Sequence, residues 1–385
     1  MQYKKDKYAN KISMLGLGCM RFSTNKAETE RMILRAIEGG VNFFDTAYIY
    51  PGSEKTLGEI LAKHNKRKDV FISTKLPFGK CRKYEDFDRY FNEQLDRLKT
   101  DYIDYYFLHN ISGFAQWKTY KELGIERWIA EKKESGKIRQ IGFSYHGNTK
   151  DFIKIIDDYD WEFTMIQYNY SDEFYQAGVV GLKHAGAKGI PVFIMEPLLG
   201  GRLATGLPKA AVNIFRKAEN GRSPAEWAFR WLWNQPEVTM VLSGMNSEHI
   251  MNLNLDAVKR FSPLTGEELK VYDDVIAEFK KAYKINCTGC DYCLPCPKGI
   301  NIPSCFSAYN NSFSQSYYVG LRLYILTTAA VSNESLSPSK CTNCGICEKK
   351  CPQNIKIREQ LKAVTKRFEP VPVRAGLKII KKIMS

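Results

Sequence analysis

Residues 42–75 read NFFDTAYIYPGSEKTLGEILAKHNKRKDVFISTK. A short β-rich apolar run, NFFDTA (42–47), is followed by residues of helical periodicity and then by a second β-rich run, VFISTK (70–75). The apolar period switches from that of a strand to that of a helix and back, which is the pattern of a βαβ unit. The alternation continues on both sides. Upstream lies ISMLGLG (12–18), and downstream lie IDYYFLH (103–109), IRQIGFS (138–144), FTMIQYN (163–169), PVFIMEP (191–197) and TMVLSGM (239–245). Helical stretches fall at Lys26–Gly39, Tyr84–Leu98, Trp117–Ser135 and Ser223–Asn234. The last opens on Ser223-Pro224-x-Glu226, a cap, a first-turn proline and an early acid.

Eight β-then-α units in about 250 residues predict an α/β fold, a (β/α)8 TIM barrel. The alternative, a doubly wound open sheet, usually has fewer strands and a glycine fingerprint in its first βα turn. Gly16-x-Gly18 imitates that fingerprint, but position 21 is Arg, so the pair is read as a tight turn. A helix over 266–283 is expected to close this region. The reading is therefore a barrel over 1–280 and a small, mainly α-helical ferredoxin-like domain over 281–385. The aromatic stretch Ile302–Val331 reads as helical, and the chain ends in a Pro- and Lys-rich tail.

The bulk properties narrow the function. Of 385 residues, 57 are Lys or Arg against 42 Asp or Glu, a net charge of +15. The excess is spread along the chain and no nucleic-acid module is visible, so nucleic acid is not the expected partner. The N-terminus lacks the apolar segment of a signal peptide, and no apolar run reaches the length of about 18 residues that a membrane span needs. Leu377–Met384 (LKIIKKIM) is basic and amphipathic but short for an anchor. Of eleven cysteines only Cys19 and Cys81 precede residue 280. Such clustering in a long chain points to metal ligands in a reducing cytoplasm instead of a disulfide scaffold.

Those cysteines form two motifs: Cys287-x2-Cys290-x2-Cys293-x2-Cys296-Pro297 and Cys341-x2-Cys344-x2-Cys347-x3-Cys351-Pro352. The second has the bacterial ferredoxin spacing, and the first is one residue short before its last cysteine. A tight loop with a thiolate at every third position wraps three ligands round one cubane. The fourth comes from a distant Cys-Pro, which in two-cluster ferredoxins serves the other cluster. The expected ligand sets are thus crossed. Cys287, Cys290, Cys293 and Cys351 hold one 4Fe-4S cluster, and Cys341, Cys344, Cys347 and Cys296 hold the other. Cys305 is read as a bystander able to replace Cys296. Zinc with four thiolates is the weaker alternative, because its sites rarely use one unbroken run ending in Cys-Pro. The module resembles a two-cluster ferredoxin domain, and the 44 residues between Cys296 and Cys341 make it resemble the α-helical type.

Catalysis on a (β/α)8 barrel sits at the C-terminal strand ends. Asp45 ends the second predicted strand, Tyr50 follows it, Lys75 ends the third and His109 the fourth. A Lys in an apolar strand is rare unless paired. Together the four suit carbonyl reduction. Tyr50 gives a proton to the developing alkoxide, and its phenol, which titrates near 10 when free, is lowered by the Lys75 ammonium. Asp45 pairs with Lys75, and His109 orients the carbonyl oxygen. Phe114 and Trp117 in the loop that follows offer an apolar or sugar-binding surface.

With LGLGCMRF, FFDTAYIYPGSEKTLGEIL, FISTKL, DYYFLHN, IGFSYH, MIQYN, MEPLLGG and SGMNSEHIMNLNL, residues 12–260 resemble the aldo-keto reductase family. The whole chain resembles a subgroup with a ferredoxin tail. The resemblance implies Asp45, Tyr50, Lys75 and His109 as a catalytic tetrad. It also implies an extended NADPH or NADH against Ser144, Gln167, Leu198, Ser243, Gly244 and Asn254. Tyr145 stands where the family usually has Asn, and Met195 where it stacks an aromatic on nicotinamide. The basic residues that commonly grip a 2′-phosphate are absent from SGMNSEH. The expectation is an NAD(P)H-dependent oxidoreductase acting on a small carbonyl or alcohol, coupled to electron transfer through its clusters, with an acidic ferredoxin or flavodoxin as partner. The rival reading is a non-catalytic nucleotide-binding redox sensor or an electron-transfer subunit.

Overall fold

The protein is described from a computed structural model covering residues 1–77, 79–218, 221–328 and 336–370. The basic segment 377–384 and the end of the aromatic stretch beyond 328 lie outside these residues. The chain forms two compact units, one of residues 1–197 with 228–264 and the other of residues 198–227 with those from 265 onward.

The first unit opens with β1 (Tyr3–Lys5) and β2 (Lys11–Ser13), paired antiparallel. Eight parallel strands follow: β3 (Leu15–Gly18), β4 (Phe43–Asp45), β5 (Phe71–Leu76), β6 (Ile103–Ile111), β7 (Ile138–Tyr145), β8 (Phe163–Gln167), β9 (Val192–Met195) and β10 (Val238–Ser243). They close in chain order, with β10 returning to β3, so the predicted barrel forms from all eight predicted runs. The first run is split, since Ile12 and Ser13 pair with the N-terminal strand and only Leu15–Gly18 joins the barrel. Gly16-x-Gly18 is therefore strand and not a tight turn. A Cβ at Gly16 would lie 2.6 Å from the Met240 sulfur and 3.0 Å from Leu242, so a larger residue there would force these side chains to shift.

Large residues fill the barrel interior. Phe43, Tyr105, Phe107, Phe163, Phe193 and Met240 form one buried cluster, with Phe163 and Phe193 stacked at 5.5 Å. The Tyr105 hydroxyl and the Gln140 amide each donate to Asp6 at 2.6 Å, which ties the N-terminal hairpin to the strands. Outside the strands, the helix Lys26–Glu38 is capped by Asn25, which accepts from the N–H groups of Ala27 and Glu28. The helix expected over 117–135 is two, Phe114–Glu122 and Ile125–Glu134, parted at Gly124, whose φ of 86° only glycine adopts freely. Trp117 is fully buried, packs tilted against Trp161 with ring centroids 5.1 Å apart, and donates to Asp158 at 2.7 Å. It is a packing residue and not the ligand contact expected from the sequence.

The second unit is helical in its described residues. Lys209–Lys217 and Gly266–Ala282 bring Phe215 and Tyr272 against Trp227, with the Phe215 and Trp227 rings stacked at 5.0 Å. Thr265 and Glu268 form a reciprocal capping box at the start of Gly266–Ala282. Beyond it, Ile302–Ser314, Tyr317–Thr327 and Ile357–Phe368 pack round Ile300, Phe306, Tyr324, Leu361 and Phe368. The motif cysteines lie against this core. Among the described residues no helix is long and apolar enough to cross a membrane.

Candidate active site and cluster sites

Neighbouring strands β4, β5 and β6 bring the charged residues together. Lys75 is 2% exposed, and its Nζ lies 2.7 Å from each carboxylate oxygen of Asp45 and 2.6 Å from the Thr46 carbonyl oxygen. These three acceptors match the three N–H donors of an ammonium. The Ser73 hydroxyl adds a fourth anchor by donating to Asp45 at 2.7 Å. The Lys75 Nζ also lies 5.1 Å from the Tyr50 ring centroid, close enough for its charge to act on the phenol. The Tyr50 and His109 rings meet edge-on with centroids 6.1 Å apart. Burial pushes the Lys75 amine below its ordinary range, and the Asp45 charge opposes it. Burial and then the Lys75 charge hold His109 well below its usual value, so its imidazole is neutral.

Local backbone aims these groups. The β6–β7 register shifts between Leu108 and Ile111, and Asn110 sits at a φ of 58°. Such a bulge re-aims the side chain beside it, here His109. The Asn110 N–H donates to Ser144 Oγ at 2.8 Å and pins the bulge. Two supports escaped the sequence. Glu54, buried on the helix Ser53–Lys63, accepts from Thr74 at 2.6 Å and Gln94 at 2.8 Å, and Gln94 also donates to the Lys75 carbonyl. His146, one residue beyond β7, is buried with its pKa lowered to about 4 by desolvation, 3.2 Å from Gln176 Oε1. An acid on the apolar face of a helix was the available signal for Glu54.

Of the expected nucleotide contacts, Ser144, Gln167 and Ser243 fall at the C-terminal ends of β7, β8 and β10. Asn254 donates to Ser243 Oγ at 3.1 Å. Gly244 is exposed, and a Cβ there would meet nothing within 4 Å, which leaves its backbone open to a ligand. This polar set with an approachable glycine fits a nicotinamide nucleotide. Leu198 belongs to the second unit. Tyr145 is buried and donates to the Asn148 carbonyl at 2.6 Å, so it serves packing where the family pattern has Asn.

The cysteines line two cavities in the second unit. One, of about 310 Å³, is walled by Cys287, Cys290, Cys293 and Cys351 with Ile302, Phe306 and Ile357. The other, of about 400 Å³, is walled by Cys296, Cys341, Cys344 and Cys347 and touches Cys293. Both share Cys293 and Ile302 as walls, so they adjoin. A lone zinc ion draws thiolates in to about 2.3 Å. Four cysteines round each of two adjoining cavities, at ferredoxin spacing, fit clusters better. Cys305 is wholly buried in the helix Ile302–Ser314 and lines neither cavity, and desolvation raises its thiol to about 12.

Residues 14–277 match the aldo/keto reductase family, and residues 286–362 match the 4Fe-4S dicluster domain. The chain belongs to the aldo/keto reductase family, an oxidoreductase family, and carries a C-terminal 4Fe-4S domain. It is similar to an aldo-keto reductase of Mycobacterium avium, 31% identical over 226 residues, which span 57% of this chain and 72% of that protein. An aldo-keto reductase of Mycolicibacterium vanbaalenii is 28% identical over 268 residues, 69% of this chain and 88% of the relative. Among solved structures, the holo form of an aldo-keto reductase from Bacillus halodurans superposes with a TM-score of 0.60 at 24% identity, over 71% of this chain and 96% of that one. This last likeness supports the fold alone.

Proposed function

We propose that the chain interconverts a small carbonyl compound and its alcohol with NADPH or NADH, with Tyr50 as proton donor, and exchanges electrons through two 4Fe-4S clusters in a reducing compartment. The observation that carries this is the Lys75 ammonium, fixed between both oxygens of Asp45 and set 5.1 Å from the Tyr50 ring. A positive charge so placed favours the phenolate and makes Tyr50 a better acid for an alkoxide. Neutral His109, edge-on to Tyr50, is suited to donate a hydrogen bond to the carbonyl oxygen without adding charge that would repel Lys75. Ser144, Gln167, Ser243, Gly244 and Asn254 are the residues that would hold the nucleotide.

When bound, the nicotinamide would supply a hydride as an electron pair, whereas each cluster would carry one electron at a time, so exchange between them calls for a flavin or an external partner as converter. Cys287, Cys290, Cys293 and Cys351 would hold one cluster and Cys296, Cys341, Cys344 and Cys347 the other. The test is a panel of aldehydes assayed with wild type and Tyr50→Phe. A proton donor of this kind contributes about 10²–10⁴-fold in rate. A loss in that range with intact clusters is expected, and equal rates would overturn the assignment.

A further inference from the structure

The two cysteine cavities differ in what surrounds them. The smaller is lined by Ile302, Pro303, Phe306, Ile355 and Ile357, and Thr288 on its wall is 4% exposed. More of the residues on the wall of the larger are exposed. Cys344 is exposed, whereas Cys293 is buried. Its neighbours Thr342 and Asn343 are exposed, and Ile346 on its wall is 43% exposed.

Charge is uneven too. Between residues 338 and 367 there are eight Lys or Arg and two acids, Glu348 and Glu359. Arg358 lines the larger cavity, and Glu348 is already engaged by it at 2.7 Å. Lys298, also on the wall, is exposed, as are Lys340, Lys349 and Lys350 beside the motif. The exposed cysteine thus sits within a cationic surface whose nearest acid is neutralised.

We propose, building on the two-cluster reading above, that the site of Cys296, Cys341, Cys344 and Cys347 is the electron port, and that its basic rim docks an acidic one-electron carrier protein. The site of Cys287, Cys290, Cys293 and Cys351 is the internal relay. In each encounter the reduced carrier loses one electron and the outer cluster gains it, with no bond made or broken. The electron then passes to the adjoining inner cluster, and a second encounter refills the outer one. Exposure provides the contact and the lysines provide steering, since a cationic patch raises the encounter rate with an acidic partner and does so less as salt rises.

The experiment mixes anaerobically purified holoprotein with an acidic flavodoxin, photoreduced to its hydroquinone, and follows cluster absorbance by stopped flow. The wild-type second-order rate is expected to fall at least tenfold between low and high salt. The double variant Lys349→Glu/Lys350→Glu is expected to react at least tenfold more slowly at low salt, with unchanged iron content and unchanged reduction by photoexcited deazaflavin alone. A rate indifferent to salt, or a variant as fast as wild type, overturns the port. Iron counting separates this from failure of the underlying reading, because a chain without two clusters would fail before the carrier is added.

Discussion

The barrel and the cysteine-rich unit reach a functional geometry by opposite means. In the barrel, Lys75, Asp45 and His109 ride on hydrogen-bonded strands, and the Lys75–Asp45 pair is anchored by Ser73 and Thr46. That site is organised by the fold alone. In the second unit, most of the motif cysteines lie in irregular segments and Cys347 on the four-residue helix Ile346–Lys349, around cavities lined by both apolar and polar side chains. There four cysteines converge on each cavity, in the arrangement of metal ligands, so bound metal would tie together segments far apart in the chain. The comparison teaches where each half is vulnerable: the barrel to loss of a charge partner, the cysteine unit to loss of metal.

Stripping iron with a chelator should expose the difference most strongly. Thiolate metal sites contribute folding free energy on the order of 10 kcal/mol. Amides of Ile302–Ser314 and Ile357–Phe368 should lose hydrogen-exchange protection while those of β4 to β8 keep it. Simultaneous loss in both units would break the comparison. Next in size is Lys75→Met, which leaves the Asp45 carboxylate buried without its partner. Denaturant titration should show a loss of about 3–5 kcal/mol, with much of it recovered in Lys75→Met/Asp45→Asn.

Acid should act on the barrel through its histidines. His146 is held neutral with a pKa of about 4, against a usual value near 6.5. Between those values the unfolded chain binds a proton that the folded chain does not, so stability falls as pH drops from 6.5 towards 4. The loss is on the order of 3 kcal/mol for this group. Barrel tryptophan fluorescence during denaturation should show the slope, and His146→Gln should flatten it. The smallest effect expected is that of Gly58→Ala. A Cβ at Gly58 would lie 2.5 Å from the Arg97 carbonyl oxygen, a backbone atom that cannot simply rotate away. A cost of about 1–3 kcal/mol in denaturant midpoint is expected, with the cluster spectrum unaltered.

The sequence displayed the barrel well because strand and helix periods alternate cleanly and both faces of each strand are apolar. It also displayed the charged cluster, since Lys75 and Asp45 are conspicuous within such runs. It concealed features set by tertiary contact. Nothing local marks the split of 12–18 or the bulge at Asn110, because each depends on residues far along the chain, and the one local hint of Glu54, an acid on an apolar helix face, does not name its partners. Trp117 misled for the same reason: a loop aromatic looks available until Asp158 and Trp161 close over it. In the second unit the spacing announced cluster ligands. The exposure of Cys344 and the burial of Cys293 follow from helix packing, which no spacing reveals.

Electron sharing between the two halves, as proposed above, is tested by a spectroscopic titration of the anaerobic holoprotein. NADPH and NADH are added while the cluster absorbance is recorded, and the reverse is run by adding NADP⁺ and NAD⁺ to photoreduced protein. The account predicts bleaching in the first direction or recovery in the second with at least one nucleotide, at two clusters per nucleotide. A cluster spectrum unmoved in both directions, in protein that still reduces aldehydes, would contradict it.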